Sequence, residues 1–316
     1  MICKPQEFVK DKYYVVMITG IPGGGKSTLA LSAPDPLHVD PDRGIRRVEP
    51  QFRRSFIQPQ NYEELLRDLE GKGNLDQFKS IIIDTGGTLV KHMTKYLIDL
   101  DANNSQKDGR TLSLKGYGAI SDEFTRLMDF LTFGKQKNVI LVFHVKDQSK
   151  SGDVIKYILD IAGSTKTTIW QRVDFGGLLH TFNNNRVWGV TPCDEYDAKC
   201  TQGLNKYINN NGLIEIPDTK HDNTFLADLF NKLDEGTAYE AELLEKYNFL
   251  MAEIQPIIKA IKDIKSANMA LELFKEDYAD RHIFGSKQEI KTLFSDRLKQ
   301  IGLECIKGEI KKIENN

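Results

Sequence analysis

The pattern of apolar and polar positions divides the chain into two parts at about residue 222. In the first part, short apolar runs rich in β-branched and aromatic residues are separated by polar turns, as expected for buried strands. These runs predict strands at 13–18, 37–40, 55–57, 78–85, 138–144, 153–161, 173–182 and 186–190. Segments of helical period predict helices at 61–69, 88–100 and 119–133. Strands that alternate with helices predict an α/β fold, in which a mostly parallel sheet carries helices on both faces.

Two connections in this part carry further information. Residues 101–118 are polar and contain Gly, Asn and Lys, and they predict a long loop. The segment Asn183-Asn184-Asn185 predicts a tight turn between two strands. The later strands are therefore expected to include an antiparallel pair.

The second part of the chain has a different texture. From Asp222 onward, long charged segments of helical period cover 223–233, 238–264, 267–278 and 287–302. We therefore predict two domains, a core at 1–221 and a helical C-terminal region at 222–316. The C-terminal region is expected to be either a partner-binding unit or a small domain.

A glycine-rich loop joins the first predicted strand to a helix that starts near Ser27. Its sequence matches the phosphate-binding pattern G-x-x-x-x-G-K-[ST] at every fixed position. Glycines let successive backbone N–H groups curl around a phosphate, and the helix adds the positive end of its dipole. Lys26 is expected to reach the β- and γ-phosphates, and the Ser27 hydroxyl to bind Mg²⁺. The predicted nucleotide-binding residues are Gly20, Ile21, Pro22, Gly23, Gly24, Gly25, Lys26, Ser27 and Thr28. A glycine-rich turn that binds nothing is the alternative.

Two polar residues end later apolar runs. Asp84 follows a run of isoleucines, and an acid in this place downstream of a phosphate loop usually holds Mg²⁺. We expect Asp84 to join Ser27 as a metal ligand, with Thr85 assisting through its hydroxyl; a strand-capping Asp is the alternative. His144 ends the 138–144 strand, at the edge where ligands of open α/β folds bind. It is expected to sense the γ-phosphate, and a purely structural histidine is the alternative.

Two groups of basic residues predict contacts with nucleic acid. Single strands are bound by phosphate neutralisation together with base stacking, which suits basic side chains interleaved with an aromatic one. The first group follows the 138–144 strand, and the second surrounds Tyr117. Their members are Lys146, Lys150, Lys156, Lys166 and Arg172, and then Lys107, Arg110 and Lys115. Solvated loops are the alternative for each of these residues.

Composition narrows the function classes. A net charge of -2 gives no global basic signature, so any contact with nucleic acid must come from a local patch. The four cysteines are scattered and lack the paired spacing of a zinc site, which favours free thiols in a reducing cytosol. The chain shows neither an apolar signal core nor an apolar run of membrane-spanning length. We expect a soluble protein of the cytoplasm without membrane contacts.

The motifs recur in an order that resembles a known family. The loop at 20–28, Val39-Asp40-Pro41-Asp42-Arg43-Gly44, Ile81 to Thr85, Gly116-Tyr117-Gly118 and Val139 to His144 are similar to the phage-type AAA/RecA-like nucleotide-binding proteins. Those proteins occur in phages and prophages, and some act as single-strand annealing or recombination ATPases. The resemblance spans about residues 13–215, and it leaves the helical region after Asp222 uncovered.

The resemblance implies further site residues and an assembly state. In RecA-like ATPases, the acid that orients the attacking water comes from the end of the strand after the phosphate-loop helix. Asp42 stands in that place, with Asp40 as the second choice and a pair of solvated acids as the alternative. Lys199 matches a basic residue that reaches a neighbouring subunit's nucleotide, whereas Thr201 stands where an Arg is expected. Rings or filaments of identical subunits are implied as well.

These observations predict a RecA-like P-loop ATPase core with a helical C-terminal region. The predicted cofactors are ATP and Mg²⁺, and the predicted activity is ATP hydrolysis on single-stranded DNA in phage or prophage recombination or replication, in the bacterial host cytoplasm. The first alternative is a nucleotide-gated adaptor, similar to a helicase loader, whose helical region docks a protein partner. The second is a small-molecule kinase, which the cluster Arg43, Arg46, Arg47, Arg53 and Arg54 suggests without forming a clear lid.

Overall fold

The apolar runs of the first part of the chain pair with one another in one sheet. The computed structural model describes residues 13–149, 155–163, 165–201, 203–209, 211–218, 223–283, 285–306 and 308–313. Lys150 and the rest of 150–154 therefore lie outside the described residues. In the described part, the strands of this sheet are β1 (Val15–Gly20), β2 (Pro36–Val39), β3 (Phe56–Ile57), β4 (Ser80–Asp84), β5 (Asn138–Ser149), β6 (Ile155–Leu159), β7 (Phe175–Phe182), β8 (Asn185–Gly189) and β9 (Leu213–Glu215).

The strand order places the phosphate-loop strand at the centre of a mostly parallel sheet. The order is β3-β2-β4-β5-β1-β7-β8-β9, with β6 paired to β5 outside this path. The pairings from β3 across to β7 are parallel, and β8, β9 and β6 pair antiparallel with their neighbours. Strand β5 lies between β1 and β4, so three parallel strands end side by side at one edge. The mostly parallel sheet and the antiparallel pair at the Asn183–Asn185 turn are both as the sequence predicts.

Helices cover both faces of the sheet because neighbouring residues of each strand point to opposite sides. In the described part, the helices are α1 (Lys26–Ala30), α2 (Tyr62–Glu70), α3 (Gly86–Leu100), α4 (Leu114–Asp129), α5 (Thr165–Arg172), α6 (Phe225–Lys259), α7 (Ile264–Glu276) and α8 (Ser286–Gln300). Val15 and Met17 of β1 pack in a cluster with residues of α2, α3 and α4. Val16 and Ile18 pack in a second cluster, with α1 and the first turns of α6.

Two segments of the core differ from the predictions. The predicted loop at 101–118 ends early, because Ser113 accepts a hydrogen bond from the backbone of Gly116 and caps helix α4. Helix α5 was not predicted, because its sequence is rich in β-branched threonine and lacks a clear apolar stripe. It packs on α4 through a Thr168–Ser121 hydrogen bond and an Arg172–Asp129 ion pair. Tertiary contacts therefore outweigh local propensity there.

The C-terminal residues form a second unit around a core of their own. The described residues divide into two compact units, the first ending at Asp234 and the second beginning at Glu235. Helix α6 runs across this division, and the domain boundary before residue 222 stays a prediction. In the second unit, α6, α7 and α8 enclose an apolar cluster that includes Ile254 and Leu298. The helical C-terminal region is as predicted, and at its end β10 (Leu303–Ile306) and β11 (Glu309–Lys312) add an antiparallel pair.

Candidate nucleotide-binding site

The phosphate loop owes its course to glycines at positions that side chains would block. Gly23 and Gly25 have φ angles of 80° and 82°, in the left-handed region that favours glycine. Gly25 is also the residue before helix α1. A Cβ on Gly20 would lie 2.7 Å from the carbonyl oxygen of Leu179 on β7, so the loop starts pressed against the neighbouring strand.

Lys26 is folded back over this loop. Its side chain is buried, and Nζ donates a 2.7 Å hydrogen bond to the carbonyl oxygen of Ile21. Burial lowers the pKa of Lys26 to about 8, and the nearby charge of Asp84 acts in the opposite direction. If a phosphate oxygen replaced the Ile21 carbonyl as the acceptor, the ammonium group of Lys26 would already be in position to bind it.

Asp84 is the last residue of β4 and lines a cleft together with residues of the phosphate loop. Its buried carboxylate lines the same cleft as Ser27, so the structure brings the two predicted metal ligands together. Burial raises the pKa of Asp84, but the hydrogen bonds from His38 and Ser27 and the charge of Lys26 outweigh it, and the net shift is downward. An ionised carboxylate beside a hydroxyl is a hard-oxygen donor set of the kind that Mg²⁺ takes together with phosphate oxygens.

His38 contacts Asp84 and was not predicted from the sequence. It is fully buried on β2, and its Nε2 lies 3.3 Å from Oδ2 of Asp84. Because an ionised carboxylate only accepts, Nε2 is the donor in this bond. Nδ1 is buried without a hydrogen-bond partner in the described part of the chain. The available signal was a polar residue between Leu37 and Val39 in an otherwise buried strand.

The two acids after β2 have different environments. Asp40 is fully buried, and its carboxylate accepts hydrogen bonds from the backbone N–H groups of Gly44 and Ile45 and from Gln58. The idea that it is a solvated loop acid was therefore wrong, and these bonds fix a turn. Asp42 accepts a 2.8 Å hydrogen bond from the Thr85 hydroxyl, which places its carboxylate beside the residue that follows Asp84. The role of Asp42 toward water stays a prediction.

His144 lies at the edge of the parallel sheet but not at the end of its strand. Strand β5 continues to Ser149, whereas the β1–β5 pairing ends at Gly20 opposite His144. Burial and the charge of Lys26 lower the pKa of His144, against the opposing charges of nearby carboxylates. Its Nδ1 is buried and has no hydrogen-bond partner among the described residues.

Lys26, Asp84 and His144 line one cleft of about 410 Å³, whereas His38, Asp40 and Asp42 are not among its lining residues. Residues of the phosphate loop, of the end of β4 and of the turn after β2 line it. They are Pro22, Gly23, Gly25, Lys26, Ser27, Thr28, Gly44, Arg47, Val48, Glu49, Asp84, Thr85 and His144. Arg47 and Glu49 are the charged members that sequence reasoning did not place here. The cleft therefore combines a phosphate loop, hard-oxygen ligands and titratable groups from three neighbouring strands.

Comparison with known proteins identifies the domain that carries this cleft. A family model described as an AAA domain matches residues 12–201, which is more than half of the 316 residues. The chain belongs to this AAA domain family. The comparison with curated proteins gives no match. Membership of the AAA domain family indicates a P-loop NTPase with a nucleotide-binding function, typically with Mg²⁺.

One predicted residue of the AAA domain lies away from the cleft. Lys199 pairs through its backbone with Gly176 on β7, and its side chain is exposed. Burial raises the pKa of Asp174, and the positive charge of Lys199 opposes that rise. Asp174 accepts a hydrogen bond from the N–H of Val15, at the end of β1 opposite the phosphate loop. A role of Lys199 toward another subunit's nucleotide stays a prediction.

Several of the basic residues predicted to contact nucleic acid are paired with acids of the AAA domain. The pairs are Lys146–Asp160 at 3.0 Å, Lys156–Asp197 at 2.5 Å, Lys115–Asp101 at 2.6 Å and Arg172–Asp129 at 2.6 Å. These contacts reduce the positive charge that the predicted groups offer to phosphates.

Helices long and apolar enough to cross a membrane are absent from the described residues.

Proposed function

We propose that this chain binds ATP with Mg²⁺ in the cleft and hydrolyses the ATP. The observation that carries the proposal is that Lys26, Ser27 and Asp84 line one cleft at the phosphate loop, with Lys26 and Asp84 buried. Ser27 and Asp84 would hold Mg²⁺, which when bound would offset the negative charge that develops on the phosphates. The letters of the guanine-reading N-K-x-D pattern occur at Asn231 to Asp234, but they lie inside helix α6, and we take the nucleotide to be ATP from the AAA domain family.

The residues of the chain have distinct tasks in this proposal. Lys26 exchanges the Ile21 carbonyl for oxygens of the β- and γ-phosphates. Water attacks the γ-phosphorus, the bond to the β–γ bridging oxygen breaks, and that oxygen leaves on ADP with the electron pair. Asp42, oriented by the Thr85 hydroxyl, takes the proton of the water. His144 senses whether the terminal phosphate is present, since it lines the same cleft.

We further propose that the ATPase acts on single-stranded DNA, in phage or prophage recombination or replication in the bacterial host cytoplasm. Support comes from a second cavity of about 340 Å³, which Gly87 and Lys91 of α3 line. Tyr117 and Lys91 offer an aromatic ring and positive charge there, whereas Lys146 is paired with Asp160 in the same lining. The same proposal includes assembly of identical subunits, with Lys199 reaching toward a neighbour, and a protein partner for the C-terminal unit.

Rates of ATP hydrolysis test these proposals in one series. We would compare the wild type with Lys26→Ala, without DNA and with single-stranded or duplex DNA, and use Lys246→Ala in the C-terminal unit as the matched control. The proposal expects turnover in the wild type, stimulation by single strands, and loss of both in Lys26→Ala only. Turnover that Lys26→Ala retains in full would refute the site, and equal rates with and without DNA would refute the DNA substrate.

A nucleotide-gated adaptor with little turnover is the second candidate. It is favoured by Thr85, which occupies the position after Asp84 where many P-loop ATPases carry a Glu. In addition, Asp42 is shorter than a Glu and is already engaged by the Thr85 hydroxyl. ATP binding with negligible turnover in every condition, together with a stable protein partner, would favour the adaptor over the ATPase.

A further inference from the structure

An arginine from the turn after β2 reaches the phosphate cleft. A short 3₁₀ helix, Gly44–Arg47, follows Asp42, and Arg47 lines the cleft together with Lys26 and Ser27. The Arg47 side chain is exposed to solvent and is therefore accessible to a ligand. Arg47 comes from the same chain as the phosphate loop. Lys199, in contrast, was predicted to reach the nucleotide of a neighbouring subunit.

The backbone that carries Arg47 is anchored on both sides. Asp40 accepts hydrogen bonds of 2.6 Å and 3.0 Å from the N–H groups of Gly44 and Ile45. Ile45 and Val48 flank Arg47 and are both buried in the apolar cluster that also contains Val16 and Ile18 of β1. Because its neighbours are fixed, Arg47 is presented to the cleft from a defined position, as a preorganised site requires. This gives the buried Asp40 a task, which is to hold the turn.

Gly44 leaves space for the guanidinium group. A Cβ built on Gly44 would lie 2.7 Å from Nη2 and 3.5 Å from Cζ of Arg47. The guanidinium therefore folds back over the turn against the backbone of Gly44, which itself lines the cleft. Because the obstructed atoms end a flexible side chain, Gly44→Ala should shift the guanidinium without disturbing the fold.

We propose that Arg47 binds the terminal phosphate of the ATP held by its own chain and stabilises the charge that develops there during hydrolysis. The inference rests on the proposed function and adds a catalytic residue to it. A guanidinium offers paired N–H donors that match phosphate oxygens, and its charge is permanent. As the β–γ bond breaks, negative charge spreads over the phosphoryl oxygens, and a fixed cation beside them lowers the barrier.

Nucleotide affinities and turnover rates separate this inference from the proposed function. We would measure fluorescent ATP and ADP analogues with Mg²⁺ on the wild type, Arg47→Ala, Arg47→Lys and Gly44→Ala. Arg46→Ala is the matched control, because Arg46 is an exposed neighbour in the same turn. Turnover would be measured over a wide range of protein concentration, and in mixtures of Arg47→Ala with Lys26→Ala chains.

Arg47→Ala is expected to lose about 10-fold to 100-fold in ATP affinity, with a smaller change for ADP, and about 1,000-fold in turnover. Arg47→Lys should recover part of the affinity, Gly44→Ala should show a smaller loss, and Arg46→Ala should match the wild type. Because Arg47 acts on its own chain's nucleotide, mixing with Lys26→Ala chains should restore no turnover. Equal preference for ATP over ADP in Arg47→Ala and the wild type would overturn the inference, as would restored turnover in the mixtures. A wild type that binds neither nucleotide would instead overturn the proposed function.

Discussion

The two units of the chain bury different kinds of side chain. In the described part of the first unit, which contains the AAA domain and is called the AAA unit below, the buried residues include the ionisable groups Lys26, His38, Asp40 and Asp84. In the described part of the unit after Glu235, the buried set is apolar except for Ser286. Burying an ionisable group costs free energy unless it is paired, so a cluster of such groups indicates a site rather than a packing solution. The chemistry of this protein is therefore expected at one edge of the AAA sheet.

Removing the Asp84 charge is the strongest way to test that difference. In Asp84→Asn we expect the turnover of ATP to fall about 100-fold to 1,000-fold, because the hard-oxygen ligand and its hydrogen bond from His38 are altered together. The check is a steady-state hydrolysis assay at several Mg²⁺ concentrations. Glu242→Gln, an exposed acid of the C-terminal unit, is the control. Turnover at the wild-type level in Asp84→Asn would contradict the assignment.

Truncating a buried apolar side chain in the C-terminal unit should lower stability and leave nucleotide binding unchanged. Ile254 is fully buried in that unit's core, so Ile254→Ala should lower the free energy of unfolding by about 2–5 kcal/mol through lost contacts and a residual cavity. ATP affinity should stay unchanged. Chemical denaturation followed by nucleotide titration checks both results.

Met269→Ala provides the matched control, because Met269 is largely exposed in the same unit. Its effect on the free energy of unfolding should stay within about 0.5 kcal/mol. If Ile254→Ala instead left stability intact but abolished nucleotide binding, the proposed separation of roles would fail.

The pH dependence of ATP affinity reports on the buried lysine. Burial lowers the pKa of Lys26 to about 8, and a bound triphosphate favours the charged lysine. The free protein loses this proton as the pH rises through about 8, so binding above that pH must first take up a proton. ATP affinity should therefore be level below pH 8 and fall above it, by up to about tenfold per pH unit.

Calorimetric titrations in buffers of different ionisation enthalpy would detect the proton uptake directly. In Lys26→Ala the affinity should be low and should not vary with pH in this range. Proton release on binding above pH 8, or a flat affinity up to pH 9.5 in the wild type, would contradict the assigned role of Lys26.

A smaller effect is expected at His38. Because His38 donates to Asp84 without lining the cleft, it is a positioning residue. His38→Leu should weaken the Mg²⁺ dependence of nucleotide binding about threefold to tenfold, which is the size of one ordinary hydrogen bond of about 0.5–1.5 kcal/mol. His38→Gln, whose amide nitrogen can reach a similar position, should restore most of it. Equal Mg²⁺ titration curves for wild type and His38→Leu would remove His38 from the site.

Much of the core could be predicted from the sequence because its signals are local. The parallel strands are mostly continuous apolar runs, and the phosphate loop is a contiguous motif whose glycines serve its own backbone. Helix α5 was missed because its stability comes from contacts with α4 rather than from an apolar stripe. The hairpin β10–β11 was missed because each of its strands is only four residues long.

The candidate site shows the same division. Lys26, Ser27 and Asp84 belong to motifs that can be read along the chain. The tasks of His38 and Arg47 arise only when β2 lies beside β4 and the turn after it faces the phosphate loop. Asp40 and Asp42 are two residues apart, and only the three-dimensional structure separates the acid that holds the turn from the acid beside Thr85.

Calorimetric titration of ATP into the full chain is the most direct test of the central claim that this edge of the AAA sheet is a Mg²⁺-dependent nucleotide site. The wild type should bind ATP saturably with one site per chain in the presence of Mg²⁺ and clearly more weakly with the metal chelated. Lys26→Ala should lose about 100-fold in affinity while keeping the wild-type fold by circular dichroism. Equal binding by wild type and Lys26→Ala, or no binding by the folded wild type, would contradict the account.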